Sequence, residues 1–186
     1  SPPLKVLYAG RGGRQKRVWL LNRIVEYFVP TGLPIEFHFA GTMADELSPT
    51  ARDAAIVHGE IGNRTEMQAL YAASHVVILV SGFEGFPMVV KEGMASSCVP
   101  VVTALPGYQM HLTDHENALL IEAVDDEVEV VRLAIARLEE LMADRALVAK
   151  LSTNAKQYAR RNFGMEAFRA KYRELLLAPL ARSDRM

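Results

Sequence analysis

The stretch "LKVLYAGRGGRQKRVWLLNRIVEYF" (Leu4–Phe28) passes from an apolar run through a glycine-rich, cationic loop into a helical pattern. The run "LKVLYA" predicts a β-strand over Leu4–Ala9, because it is short and almost continuously apolar. The residues after the loop predict a helix that begins at about Lys16. A strand, a loop and a helix in this order are typical of a parallel sheet.

The same order of elements continues outward along the chain. Further strands are predicted at "IEFHFA", near "AIVH", and at "HVVILV", "VPVVT" and "ALLIE", and only helical patterns follow from about residue 126. This alternation predicts an α/β fold with a doubly wound parallel sheet of about six strands, covered by helices on both faces. We expect one domain over residues 1–178 and a tail over residues 179–186.

Composition excludes several classes of protein. The chain has 186 residues, with 22 acidic and 21 basic side chains, so no overall field attracts nucleic acid or an anionic membrane. The cations also form no stripe with exposed aromatic residues, which a nucleic-acid module would need. Cys98 is the single cysteine, which excludes an internal disulfide and predicts a small buried residue in a reducing, cytoplasmic protein. No apolar run is long enough to span a bilayer.

Glycine follows the predicted carboxyl ends of four strands. In an open parallel sheet, ligands bind beyond these ends, and glycine lets a ligand approach the backbone. Each glycine alone is explained equally well by a tight turn. Together they predict a ligand crevice along one edge of the sheet, at Ala9-Gly10, Ala40-Gly41, His58-Gly59 and Ser81-Gly82.

The cationic loop after the first strand matches neither common phosphate-binding motif. A dinucleotide fingerprint needs a third glycine where Gln15 stands, and a P-loop needs Ser or Thr after Lys16. Arg11 and Lys16, with backbone amides near a helix start, suit an anion with more than one charge, such as a diphosphate. Solvated surface charge is the open alternative.

A second candidate region, "SGFEGFPMVVKEGMASS" (Ser81–Ser97), carries Glu84 and Glu92 after the most apolar strand. Pro87 suits the first position of a helix, which leaves free amides just after it. Carboxylates beside a diphosphate are explained if they accept hydrogen bonds from hydroxyls, with Glu92 on a ribose diol and Glu84 on a sugar diol. Solvated positions for both remain the alternative, and no Asp-x-Asp pair predicts a metal site.

At these residues the sequence resembles the carboxyl-terminal, donor-binding domain of GT-B glycosyltransferases, specifically glycosyltransferase family 4 (group 1). "GRGGRQK" resembles the family's Gly-Arg, four residues, Lys loop, and "EGFPMVVKE" resembles its Glu-x7-Glu motif. The resemblance implies a Rossmann-like sheet and assigns Glu84 as the catalytic candidate. The donor-binding residues that it implies, with the base near Gly41 and Ile61, are Gly10, Arg11, Lys16, Gly41, Ile61, Gly85, Phe86, Pro87, Met88, Val89 and Glu92.

The resemblance also implies a function and partners. It implies a retaining enzyme that transfers a sugar from a UDP- or GDP-linked donor without a metal or other cofactor. An amino-terminal domain would hold the acceptor, so we expect this chain alone to be inactive, and the full-length enzyme to associate peripherally with a membrane. A non-catalytic nucleotide-sugar module and another GT-B enzyme, such as an epimerase, are the alternatives. Pro87 and Met110 depart from the family pattern, which leaves the donor sugar open.

Overall fold

The computed structural model describes residues 2–177, so the predicted tail over residues 179–186 lies outside the described part. The strands are β1 (Leu4–Ala9), β2 (Ile35–Ala40), β3 (Ile56–Gly59), β4 (Val76–Leu79), β5 (Val99–Thr103) and β6 (Leu119–Ile121). The helices are α1 (Val18–Phe28), α2 (Pro49–Ala54), α3 (Arg64–Ala73), α4 (Met88–Ala95), α5 (Pro106–Gln109), α6 (Glu127–Ala143), α7 (Arg145–Phe163) and α8 (Met165–Leu177). Short 3₁₀ turns cover Val29–Thr31 and Ala44–Glu46.

The six strands form a single parallel sheet in the order β3-β2-β1-β4-β5-β6. β1 pairs along its whole length with β2, from Leu4 opposite Ile35 to Ala9 opposite Ala40, and it pairs with β4 on its other side. The direction of strand addition therefore reverses between β1 and β4, which is where a doubly wound sheet opens a crevice at its carboxyl edge. The predicted fold class is confirmed.

Both faces of the sheet are covered, as the near-continuous apolar strands predict. In β1, Leu4, Val6 and Tyr8 pack into the larger cluster with α1, whereas Leu7 and Ala9 face a smaller cluster that includes Tyr71 of α3. All five of these side chains are buried, and Lys5 is the half-buried residue of β1. Burial on both faces holds the carboxyl end of β1 firmly, and the cationic loop starts from that end.

Two helices begin later than the sequence predicts. α1 starts at Val18 and not at Lys16, because Arg17 has a left-handed backbone (φ 53°) and cannot continue a helix toward the loop. α4 starts at Met88, since Pro87 has ψ 148° and caps the helix from an extended conformation. The prediction that Pro87 occupies the first helical position is wrong, although Met88 and Val89 still begin the helix.

The region after β4 and β5 also departs from the predicted elements. α4 ends at Ala95 and not at Ser97, because Ser97 is left-handed (φ 74°) and the amide of Cys98 donates to the carbonyl of Gly93. A helical turn, α5, occupies part of what the sequence predicts as a loop after β5. Both differences come from backbone conformations that apolar patterning does not report.

Cys98 lies in the core, as predicted. Its thiol is fully buried and donates to the carbonyl of Tyr71 at 3.1 Å. Burial raises the pKa of the Cys98 thiol to about 12, so the side chain stays protonated at neutral pH. Within residues 2–177, no helix has the length and apolarity to cross a membrane.

An ionic network ties the loop before β6 to α6. His115 contacts Asp114 through Nδ1 and Glu140 through Nε2, each at 2.8 Å, and Arg137 contacts Asp114 at 3.1 Å. The hydrogen bond to Glu140, supported by that to Asp114, raises the pKa of His115 above its usual value of 6.5. The charged form of His115 therefore stabilises this loop more than the neutral form does.

We expect the substitution His115→Gln to lower the free energy of unfolding more at about pH 5.5 than at about pH 9. Because the pKa of His115 is higher in the folded than in the unfolded protein, its protonation stabilises the fold. This contribution is fully present below the pKa of the unfolded state, about 6.5, and is lost as the pH rises through the pKa of the folded state. Urea denaturation of both proteins at each pH measures the difference. An equal loss at the two pH values would contradict the assignment.

Candidate functional site

A cavity of about 590 Å³ opens at the carboxyl edge of the sheet, where the strand order reverses. Its walls come from the loops that follow β1, β2 and β3 and from α3 and α4. The lining residues are Ala9, Gly10, Arg11, Lys16, Ala40, Gly41, Thr42, Glu60, Ile61, Met67, Tyr71, Met88, Val89 and Glu92. Arg11 and Glu92 thus share one cavity, although they are far apart in the sequence.

The cationic loop is held in place by hydrogen bonds at several points. The buried hydroxyl of Tyr8 donates to the carbonyl of Arg11 at 2.6 Å, and the amide of Gly13 donates to Glu46 Oε1 at 2.7 Å. Burial, followed by the charges of Glu46 and Glu84, raises the pKa of Tyr8, which keeps its hydroxyl a donor. The loop that carries Arg11 is therefore ordered by the fold.

The loop after β1 is also joined to the loop after β4. The backbone carbonyl of Gln15 accepts a hydrogen bond from the amide of Gly82 at 2.9 Å, and its side chain donates through Nε2 to the carbonyl of Phe83 at 2.8 Å. Lys16 forms an ion pair with Glu84, and the two side chains are 18% and 8% exposed. Because a partly buried pair is less screened than a surface pair, it holds Glu84 next to Lys16, which lines the cavity.

Glycines let the strand ends approach one another closely. Gly41 has φ +122°, and a Cβ there would lie 1.9 Å from the carbonyl oxygen of Gly10. The amide of Gly41 donates to the carbonyl of Gly59 at 2.7 Å, and the amide of Gly10 donates to that of Ala40 at 2.9 Å. Three of the four predicted strand-end glycines therefore meet at one wall of the cavity or just behind it.

α4 contributes the negative end of the cavity. Glu92 is exposed on this helix, and its Oε2 accepts a hydrogen bond from the hydroxyl of Tyr71 at 3.2 Å. Met88 and Val89, in the first turn, line the same cavity, and their amides have no intrahelical partner. The amino terminus of α4 therefore presents partial positive charge to the cavity, while Glu92, one turn further along the helix, presents a carboxylate that can accept hydrogen bonds from hydroxyls.

Most of the predicted site residues come together here. Glu84 lies beside the cavity, paired with Lys16, whereas Gly85, Phe86 and Pro87 do not line it. The ring of Phe86 packs against an aromatic cluster that includes His111 and Phe163, with ring centroids 4.7 and 5.3 Å away. The predicted residues that line the cavity are Gly10, Arg11, Lys16, Gly41, Ile61, Met88, Val89 and Glu92.

Sequence reasoning missed several lining residues. Thr42 and Glu60 each follow a strand-end glycine, so the rule that found Gly41 could have extended to them. Met67 and Tyr71 reach the cavity from the inner face of α3. No motif marks Tyr71, because its role follows from the packing of α3 beside α4.

The histidines do not form a metal centre in the described part of the chain. His38 Nδ1 lies 2.9 Å from His58 Nε2, with the two rings stacked, and His38 Nε2 lies 2.6 Å from Glu36. Burial, followed by the charge of His38, lowers the pKa of His58. Among residues 2–177 there is no group of three or more His, Cys, Asp or Glu side chains that could bind a metal ion.

Comparison with known families identifies the chain. Residues 3–140 match the family model described as "Glycosyl transferases group 1". The chain belongs to the group 1 glycosyl transferases. This confirms the resemblance seen in the sequence at the level of the group, while the narrower assignment to family 4 stays a prediction.

Relatives of this group 1 chain are distant and longer. Trehalose synthase of Thermococcus litoralis is 26% identical over 111 residues, which cover 60% of this chain and 25% of that protein. The match therefore spans about a quarter of the length of this curated relative.

Solved structures establish the architecture of the group 1 domain. The Anabaena protein HepE, in complex with UDP-glucose, has a TM-score of 0.78 at 17% identity, covering 95% of this chain and 49% of that chain. The carboxyl-terminal domain of a group 1 family protein from Francisella tularensis has a TM-score of 0.72 at 19% identity and covers 88% of each chain. The fold is the Rossmann-like α/β half of a GT-B glycosyltransferase.

The contact at Gly41 generates a test of how closely the strand ends must pack. We expect Gly41→Ala to lower the free energy of unfolding by about 2 kcal/mol or more, because its backbone is left-handed and the new Cβ would strike Gly10. Gly62→Ala is the matched control, since nothing lies within 4 Å of a Cβ there. Urea denaturation measures both variants, and equal stabilities would refute the close approach.

Proposed function

We propose that this chain is the donor-binding half of a retaining glycosyltransferase that moves a sugar from a nucleotide-diphosphate sugar to an acceptor held by an amino-terminal domain. The observation that carries the proposal is the shared cavity, which combines Arg11, Lys16 and the start of α4 with the carboxylate of Glu92. A ligand with a doubly charged centre and hydroxyls on both sides complements this arrangement of charge.

The positive groups suit the diphosphate. Lys16 and Arg11 extend from the loop after β1, and the amides of Met88 and Val89 stand at the start of α4. A helix amino terminus favours an anion, and charged donors form short, strong hydrogen bonds to phosphate oxygens. With a phosphate beside it, Lys16 would be shared between that phosphate and Glu84.

The two carboxylates suit the hydroxylated parts of the donor. Glu92 would accept hydrogen bonds from the ribose diol, and Glu84 would hold the transferred sugar next to the diphosphate. Ile61 and Met67 offer apolar surface for the base, with Gly41 allowing a close approach. In this assignment Glu84 is the catalytic candidate, because it would lie nearest the bond that breaks.

The comparisons support this assignment at the level of the group. HepE is described in complex with UDP-glucose, and the curated relatives are trehalose synthases. We therefore propose a UDP- or GDP-linked sugar as donor, with no metal or other cofactor. We further propose that an amino-terminal domain binds the acceptor, that the whole enzyme is cytoplasmic and associates peripherally with a membrane, and that this chain alone transfers little sugar.

Calorimetric titration of the chain with UDP, GDP and the nucleosides uridine and guanosine tests the proposal. We expect Arg11→Ala to weaken binding of the diphosphate about tenfold, because a charged hydrogen bond is lost, and to leave nucleoside binding unchanged. Arg14→Ala is the matched control, since Arg14 is exposed in the same loop but does not line the cavity.

Three outcomes would count against the proposal. Failure of the wild-type chain to bind any of UDP, GDP, UDP-sugars and GDP-mannose at millimolar concentration would refute donor binding. An equal effect of Arg11→Ala and Arg14→Ala would refute the placement of the diphosphate. Binding without sugar transfer, even when the chain is joined to its amino-terminal half, would favour a non-catalytic nucleotide-sugar module.

A further inference from the structure

Tyr71 is a buried side chain that reaches the cavity from α3. Its hydroxyl donates to Glu92 Oε2 at 3.2 Å, and the residue is only 2% exposed. Among residues 2–177, this long hydrogen bond is the one that reaches the Glu92 carboxylate. A buried phenol therefore contacts the exposed carboxylate that lines the same cavity.

Tyr71 is held rigidly from several sides. Its ring belongs to the smaller core cluster beside Leu7, Val77 and Cys98. Its carbonyl accepts from the amide of Ser74 at 3.0 Å and from the thiol of Cys98 at 3.1 Å. Since both the ring and the backbone are fixed, the hydroxyl has one available position.

Glu92 has no comparable restraint of its own. It is exposed on the second turn of α4, and its long side chain loses rotamer freedom whenever it is ordered. Burial, followed by the charge of Glu92 and the hydrogen bond to it, raises the pKa of Tyr71. The phenol therefore remains a donor across the physiological range.

We infer that Tyr71 is a positioning residue, which holds one oxygen of Glu92 so that the carboxylate can accept hydrogen bonds from the ribose hydroxyls of the donor. The inference rests on the proposed function, in which Glu92 binds the ribose. Tyr71 uses one acceptor position of Oε2 from the protein side, which leaves the other acceptor positions of the carboxylate for the diol. Because the carboxylate is already ordered, it loses less conformational entropy when the nucleotide binds.

This role makes a prediction that depends on the ligand. Tyr71→Phe keeps the ring and its packing but removes the donor, so we expect binding of UDP or GDP to weaken about fivefold. The same substitution should change the affinity for 2′,3′-dideoxy-UDP or 2′,3′-dideoxy-GDP less than about twofold, because these ligands lack the ribose hydroxyls that would donate hydrogen bonds to Glu92. Calorimetry with all four nucleotides measures both effects.

A matched control and a double-mutant cycle complete the experiment. Tyr27 also donates to a glutamate, Glu139, at 2.9 Å, but on the exposed surface between α1 and α6, so Tyr27→Phe should leave nucleotide binding unchanged. In a Glu92→Ala background, Tyr71→Phe should have less than about a twofold further effect. Thermal unfolding of each variant confirms that it is folded.

The outcomes separate this inference from the proposed function. If the wild-type chain binds none of UDP, GDP, UDP-sugars and GDP-mannose, the proposed function fails, and the inference fails with it. If the wild-type chain binds but Tyr71→Phe binds equally well, only the positioning role is overturned. If Tyr71→Phe weakens the dideoxy nucleotides as much as the ribonucleotides, Tyr71 acts through packing, and the positioning role is likewise refuted.

Discussion

The parallel pairing of β1 with β2 on one side and β4 on the other is the constraint on which the site depends. It brings the loops after all three strands to one edge of the sheet. Since the order of strands reverses at this point, the following helices lie on opposite faces and leave a crevice between the loops. Without this pairing, Arg11 and Glu92 would have no reason to share a cavity.

Three carboxylates in or near the cavity interact with donors of the protein itself. The carboxylate of Glu84 pairs with Lys16, that of Glu46 accepts from the amide of Gly13, and that of Glu92 accepts from Tyr71. Each of these three carboxylates therefore has a donor within the protein. This arrangement lets carboxylates stand beside a site that also attracts an anion, because partly buried charges are tolerated when they are paired or hydrogen-bonded.

The sequence predicts most of the residues of the site, but it does not predict which of them contact one another. The cationic loop after β1 predicts Arg11 and Lys16 as site residues, and the paired carboxylates after β4 predict Glu92. All three line the cavity. Helix starts were less predictable, because Arg17 adopts a left-handed backbone and Pro87 an extended one. Single-residue backbone angles depend on the neighbouring loops, and those neighbours are distant in sequence.

The sequence by itself determined the sheet, its parallel direction and the edge at which a ligand would bind. These features can be predicted because each depends on a short stretch of sequence: an apolar run, a helical spacing or a glycine at the end of a strand. Only the tertiary structure decided that Lys16 pairs with Glu84 and that Tyr71 reaches Glu92. Such contacts join residues that folding alone brings together, so their geometry is set by the packing of helices on the sheet and not by any motif.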